Sequence, residues 1–233
     1  MGFQSIQKEA SGSFTISAAG PVLIADGSSS KLNPELTDNR FLSGTDASGN
    51  RAYVIPGSSI KGVIRHYLYN YMNDTQINEL FGYAGKNGKY KSKISFSDAY
   101  ADMETVETIL RTNTRIGSVS QGANKGLNDA LAVNKGDFHC SFRMCNYSTE
   151  ELKWILSALN GFHTGEICIG GRVSRGFGRV RVSDFHMIVA AGYTKELKPR
   201  VIGEYVSLEA AMTAVISETE NRNKCGGVVY AGV

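Results

Sequence analysis

Two glycine-hinged cationic stretches carry the chemistry that can be read from this chain. The first is Tyr53-Val-Ile-Pro-Gly-Ser-Ser-Ile-Lys-Gly-Val-Ile-Arg-His-Tyr-Leu68. Lys61 and Arg65 fall one helical turn apart on the same face, close to a helix start. Like charges at that spacing repel, and cations there oppose the macrodipole. The two effects together cost roughly 1 kcal/mol at an exposed site, and a bound anion reverses both signs. Backbone N–H groups at a helix start suit a phosphate. Gly57, Ser58, Ser59, Lys61 and Arg65 therefore read as a phosphate-binding turn, against the plainer alternative of a solvated helix face with a glycine entry. The second stretch is Gly170-Gly-Arg-Val-Ser-Arg-Gly-Phe-Gly178. Glycines such as Gly171 let a backbone approach a phosphate closely, and Arg172 and Arg175 neutralise it. Phe177 can pack on a base or ribose. The alternative is a glycine turn with solvated arginines. A dinucleotide-binding fingerprint fits poorly, because no helix pattern follows.

These stretches need a frame. Pro56-Gly57 breaks an extended run, and Ser58 or Ser59 is placed to cap the helix that follows. Ile60, Val63, Ile64, Leu68 and Tyr71 give it a buried stripe, out to about Asn73. Alternation predicts strands at Ser13–Ser17, Lys93–Asp98, Asp137–Met144 and Arg179–Val189. Ser148 and Glu151 form a capping box for a second helix, with Leu152, Ile155, Leu156 and Leu159 inward and Asn160-Gly161 as its stop. The order strand, helix, strand, strand, helix, strand predicts an α+β fold with a ferredoxin-like, RRM-like βαββαβ core. Both helices then cover one sheet face. One domain spans 1–233, with its core at about 13–189. Glycine-rich insertions fill 20–49 and 111–136, and an extension at about 190–233 carries a third helix near 207–218. Long loops of this kind tend to hold function. The first contains Asp26, Asp38 and Asp46.

Composition sets limits. The chain has 233 residues, 42% hydrophobic and 20% charged, which supports a sizeable core. A net charge of +3 is too mild to define a nucleic-acid binder, so any such site must be a local patch. Cys140, Cys145, Cys168 and Cys225 form no CxxC pair, and no metal site is expected from them. No apolar run suggests a signal peptide or a membrane span, and a reducing cytoplasm is the expected compartment.

Taken together, Ile55-Pro-Gly-Ser-Ser-Ile-Lys-Gly-Val-Ile-Arg65, Leu80-Phe-Gly82 with Ile94-Ser-Phe-Ser-Asp-Ala99, and Gly170 to Val180 resemble the signature segments of the RAMP superfamily of CRISPR effector proteins. The resemblance covers roughly residues 13–185. It is nearest to the repeating backbone subunit of type III effector complexes. It implies partners: a guide crRNA, a target RNA, adjacent RAMP-family subunits and other effector subunits, with no membrane. It implies that 111–136, including Arg115, is a thumb-like hairpin set between guide and target. It also implies that a loop aspartate cuts the target RNA with Mg²⁺ or another divalent metal. Leu36-Thr-Asp-Asn-Arg-Phe-Leu42 fits that aspartate's pattern best and makes Asp38 the catalytic candidate, with Asp26 and Asp46 as competitors. The pattern departs at Arg40, where a proline is common, and some family members only bind. A related branch of guide-processing endonucleases uses a histidine near such a helix, which singles out His66 as a further alternative.

Overall fold

The computed structural model describes residues 6–27, 39–85, 88–116, 123–193 and 199–225. The chain begins with β1 (Lys8–Ala18), β2 (Asn39–Arg40), β3 (Ser43–Thr45) and β4 (Arg51–Ile55). Next come α1 (Gly57–Leu68), α2 (Asp74–Phe81), β5 (Tyr83–Gly85), β6 (Gly88–Tyr90), β7 (Ile94–Phe96) and β8 (Ala99–Ala101). The long strands β9 (Glu107–Ile116), β10 (Ala123–Lys135) and β11 (Asp137–Cys145) precede α3 (Thr149–Thr164). The last elements are β12 (Val180–Tyr193), β13 (Pro199–Tyr205) and α4 (Leu208–Cys225).

The main sheet runs β13-β12-β1-β11-β8-β4-β3, with β7 also paired to β11. These pairings are antiparallel, as in β1 against β11 (Phe14 opposite Cys140) and β1 against β12 (Ile16 opposite Val182). Strand alternation sets the faces. On β11, Phe138, Cys140, Phe142 and Met144 are buried, while His139, Ser141 and Arg143 are exposed. The buried set meets Ile60, Ile64 and Leu68 of α1 and Leu152, Ile155, Leu156 and Leu159 of α3 in one core. Each such side chain contributes about 1.5–3 kcal/mol by leaving water. The mixed α+β class with an antiparallel sheet agrees with the sequence pattern.

Several local expectations need correction. The N-cap of α1 is Pro56 with no side-chain cap, so Ser58 and Ser59 are first-turn residues. α1 ends at Leu68, and a separate helix, α2, starts under an Asn73–Gln76 capping box. Gly161 does not stop α3. A Cβ there would lie 2.9 Å from the Ile167 side chain, so this glycine admits a close neighbour. The stop is Gly165, with φ 83° in the left-handed region. A second sheet, β2-β10-β9, stands beside the first.

Candidate nucleic-acid interface

Gly57 begins α1 because packing demands it. A Cβ there would overlap the Phe96 carbonyl oxygen and lie 2.8 Å from that of Ser97. Its N–H donates to the Asp98 carboxylate at 2.8 Å. The N–H groups of Ser59 and Ile60 both donate to the Pro56 carbonyl. The turn thus already holds an internal anion, and a phosphate at Gly57 would compete with Asp98. Lys61 and Arg65 do share a face. Lys61 Nζ donates to Ser92 Oγ at 2.7 Å, and Arg65 Nη2 donates to Asn78 Oδ1 at 3.1 Å and Tyr69 Oη at 3.2 Å. Burial, then the Arg65 guanidinium, hold the Lys61 ammonium below its ordinary pKa. Ser58 and His66 are exposed on the outer side of the helix.

The glycine-rich loop packs elsewhere. Gly171 N–H donates to the Leu23 carbonyl at 2.9 Å and Gly178 N–H to that of Pro21 at 2.8 Å. Gly170 has φ 87°, and a Cβ there would overlap the Leu23 carbonyl oxygen. Phe177 is 2% exposed and packs with Leu23, Ala130, Ala132 and Ile109. It therefore supports the loop from beneath, and its ring is not presented to a base as the sequence suggested. Arg172 takes φ 61° before a 3-10 turn at Val173–Arg175. A side chain in that region costs roughly 1–2 kcal/mol that glycine would avoid. Arg175 is exposed. Arg179 serves another element. Its guanidinium lies beside Gly165, at the C-terminal end of α3, where a cation suits the helix dipole.

Around that loop three segments meet. Val22 bridges to Val133 of β10, and Ala25 to Phe41 just after β2. Asn39 and Arg40 pair in parallel with Ala130 and Leu131. Arg111 of β9 lies over the Phe177 ring, 5.6 Å from its centre. The residues flanking 28–38, the β9–β10 hairpin and the glycine loop are thus one neighbourhood. α1 instead packs on β7, α2 and α3, so the two cationic stretches rest on different elements. Arg111 and Asp98 escaped the sequence reading as site members. The ring beneath Arg111 and the helix start above Asp98 are distant in the chain, and no local pattern joins them.

The aspartates separate. Asp46 Oδ1 accepts from the N–H groups of Ser48 and Asn50, so it shapes the β3–β4 turn. Asp26 is exposed, and its N–H donates to the Arg40 carbonyl at the base of the 28–38 segment. Asp38 lies outside the described residues, immediately before β2. Arg115 pairs through its backbone with Asn124 in the β9–β10 hairpin. Among the described residues no group of three or more His, Cys, Asp or Glu is placed to hold a metal. No helix there is long and apolar enough to cross a membrane.

An antiparallel sheet with helices on one face, a glycine loop seated on its neighbour strands and a cationic first helix define a family at the sequence level as well. The sequence profile of the RAMP superfamily matches residues 15–181, and the chain belongs to that superfamily. Among solved structures, it is similar to a chain in the cryo-EM structure of the Type III-B Cmr-beta bound to cognate target RNA. That match has TM-score 0.59 and 19% identity, over 78% of this chain and 61% of the other. The chain thus spans less than two thirds of that relative. It is also similar to a chain in the crystal structure of the Csm3-Csm4 subcomplex of the type III-A CRISPR-Cas interference complex. There the TM-score is 0.58 and identity 18%, over 98% of this chain and 100% of the other. No curated protein sequence matches.

Proposed function

We propose that this chain is a backbone subunit of a type III CRISPR effector complex, that it holds guide-RNA phosphates, and that it cuts target RNA through Asp38. The observation that carries the reading is a convergence in the fold. The glycine loop with Arg172 and Arg175, Arg111 of β9, and the residues flanking 28–38 on either side gather around β10. On this reading β1, α1, β7–β8, β11, α3 and β12 are a ferredoxin-like core, which the order β12-β1-β11-β8 supports. The β9–β10 hairpin is the thumb. Guide crRNA, target RNA and neighbouring effector subunits are the partners, as the relatives' assemblies suggest, in the cytoplasm.

The chemistry asked of the chain is modest. Strand cleavage can use the 2′-hydroxyl beside the scissile phosphate as nucleophile, provided it is held in line. Asp38 accepts its proton as the 2′-oxygen bonds to phosphorus. The bond to the 5′-oxygen breaks and that oxygen takes a proton from water, leaving a 2′,3′-cyclic phosphate and a 5′-hydroxyl. Arg172 and Arg175 offset charge on the phosphorane oxygens. A divalent ion, where bound, would add Lewis-acid charge and keep most of its waters. The test is cleavage by the assembled complex, given complementary RNA and Mg²⁺. Asp38→Ala should leave assembly intact and stop cutting. Intact RNA with the unaltered complex would favour a binding-only subunit, and unchanged cutting by the variant would move the site elsewhere.

A further inference from the structure

The polar stretch between α2 and β7 has no part in the function just proposed, yet it borders both cations of α1. Gly82 closes α2 with φ 86°, its N–H donating to Asn78. A Cβ on Gly82 would lie 3.0 Å from Ser92 N and 3.2 Å from the Tyr90 carbonyl, so the β5–β6 hairpin folds back tightly on its own base. Ser92, which holds Lys61, is anchored through its hydroxyl to the Ile94 carbonyl at 2.6 Å. Asn78, which holds Arg65, is the residue that receives Gly82. Tyr69 is thus in contact with Arg65, Lys61 lies one turn before Arg65, and Lys61 reaches Ser92, two residues after exposed Tyr90.

Two properties of that surface are unusual. Tyr69 is 44% exposed and Tyr90 46% exposed, both large rings turned to water. Both cations are held by neutral groups: a hydroxyl for Lys61, an amide oxygen and a phenol for Arg65. Among the described residues neither has a carboxylate partner, whereas nearby Lys93 is paired with Glu151. Uncompensated positive charge between exposed rings suits a ligand carrying alternating phosphates and flat bases. Tyrosine and arginine also suit a protein interface, and that occupant is one outcome of the experiment. The Arg65 guanidinium, 5.8 Å from the Tyr69 ring centre, also steadies that ring.

We propose that Tyr69 and Tyr90 are a stacking platform for unpaired bases of single-stranded RNA, with Lys61 and Arg65 holding the phosphates between them. This rests on the proposed RNA-binding function, but uses a surface separate from the glycine loop.

The test uses the full chain and a single-stranded oligoadenylate carrying 2-aminopurine, whose fluorescence reports stacking. Wild-type protein should quench the probe. Tyr69→Leu with Tyr90→Leu should lose the quench and at least about tenfold in affinity. Tyr69→Phe with Tyr90→Phe should keep both, since stacking needs the ring and not the hydroxyl. Both tyrosines are exposed, and an unchanged melting curve checks that the variants fold. If the Leu pair binds like wild type while Arg172→Ala with Arg175→Ala weakens binding, the platform is refuted and the RNA reading stands. If the Leu pair keeps its RNA affinity but fails to join other effector subunits, the surface is a protein contact and the platform is again refuted. No binding by wild type overturns both.

Discussion

Asp98 occupies a place that any phosphate at the start of α1 would have to share. Its carboxylate accepts from Gly57, forty-one residues away in sequence, and complements the positive end of the helix. Asp98→Ala should cost about 1 kcal/mol, as loss of a helix cap does, with Asp98→Asn costing less because an acceptor oxygen remains. Urea unfolding measures both, and equal stability of all three proteins would show that the contact is idle. Cys140 makes a second residue-scale case. Burial pushes its thiol up to about 12 from an ordinary 9.0. The folded protein therefore keeps the proton through a window in which the unfolded chain releases it. Stability is whole below pH 9 and falls as pH rises from 9 toward 12, by at most about 1.4 kcal/mol per pH unit from this group. Cys140→Ala should flatten that decline in denaturation series across the window. Native protein near pH 8 should also leave Cys140 unalkylated by iodoacetamide, and mass spectrometry of the peptide reads this directly.

At the level of elements, α1 contains a glycine that its own packing does not explain. Gly62 is exposed in mid-helix, and a Cβ there would meet nothing within 4 Å. Glycine at such a position costs about 1 kcal/mol relative to alanine. Gly62→Ala should therefore raise stability by that amount. If RNA lies close along this face, between Ser58 and His66, the same change should weaken RNA binding. A variant that is more stable and binds RNA as before would mean that the face is bare. The stripes of α1 and α3 were legible because apolar residues recur at helical spacing over three or more turns, and β11 because it alternates without a break. α2 is not: eight residues are too few for periodicity to speak, and its Asn73–Gln76 capping box begins where the stripe of α1 is expected to end. β13 reads poorly because Val201 and Ile202 are both exposed, so it has no inward-outward alternation. Gly161 looked like a stop, since sequence cannot distinguish a glycine that ends a helix from one that admits Ile167. Of the site, the loop glycines and arginines were legible, whereas the burial of Phe177 depended on β10, reached only by tertiary pairing.

For the molecule as a whole, a net charge of +3 gives little long-range attraction, so the proposed RNA binding calls for local contacts. The candidate contacts lie on two supports: α1 with its neighbours Ser92 and Asn78, and the glycine loop on β9 and β10. A strand of RNA touching both must cross the surface between them, and its phosphates should be counted by salt. If Lys61, Arg65, Arg111, Arg172 and Arg175 each neutralise one phosphate, the logarithm of affinity should fall against that of salt with a slope of about −3.5. Arg172→Ala with Arg175→Ala should make the slope shallower by about 1.4, and Lys61→Ala with Arg65→Ala by a similar amount, alike for any RNA sequence. Titrations of a labelled single strand at several salt concentrations separate the outcomes. Loss from both pairs places one RNA across both supports. Loss from only one pair confines the RNA to that support, and the other arginine or lysine pair then serves a partner other than this strand.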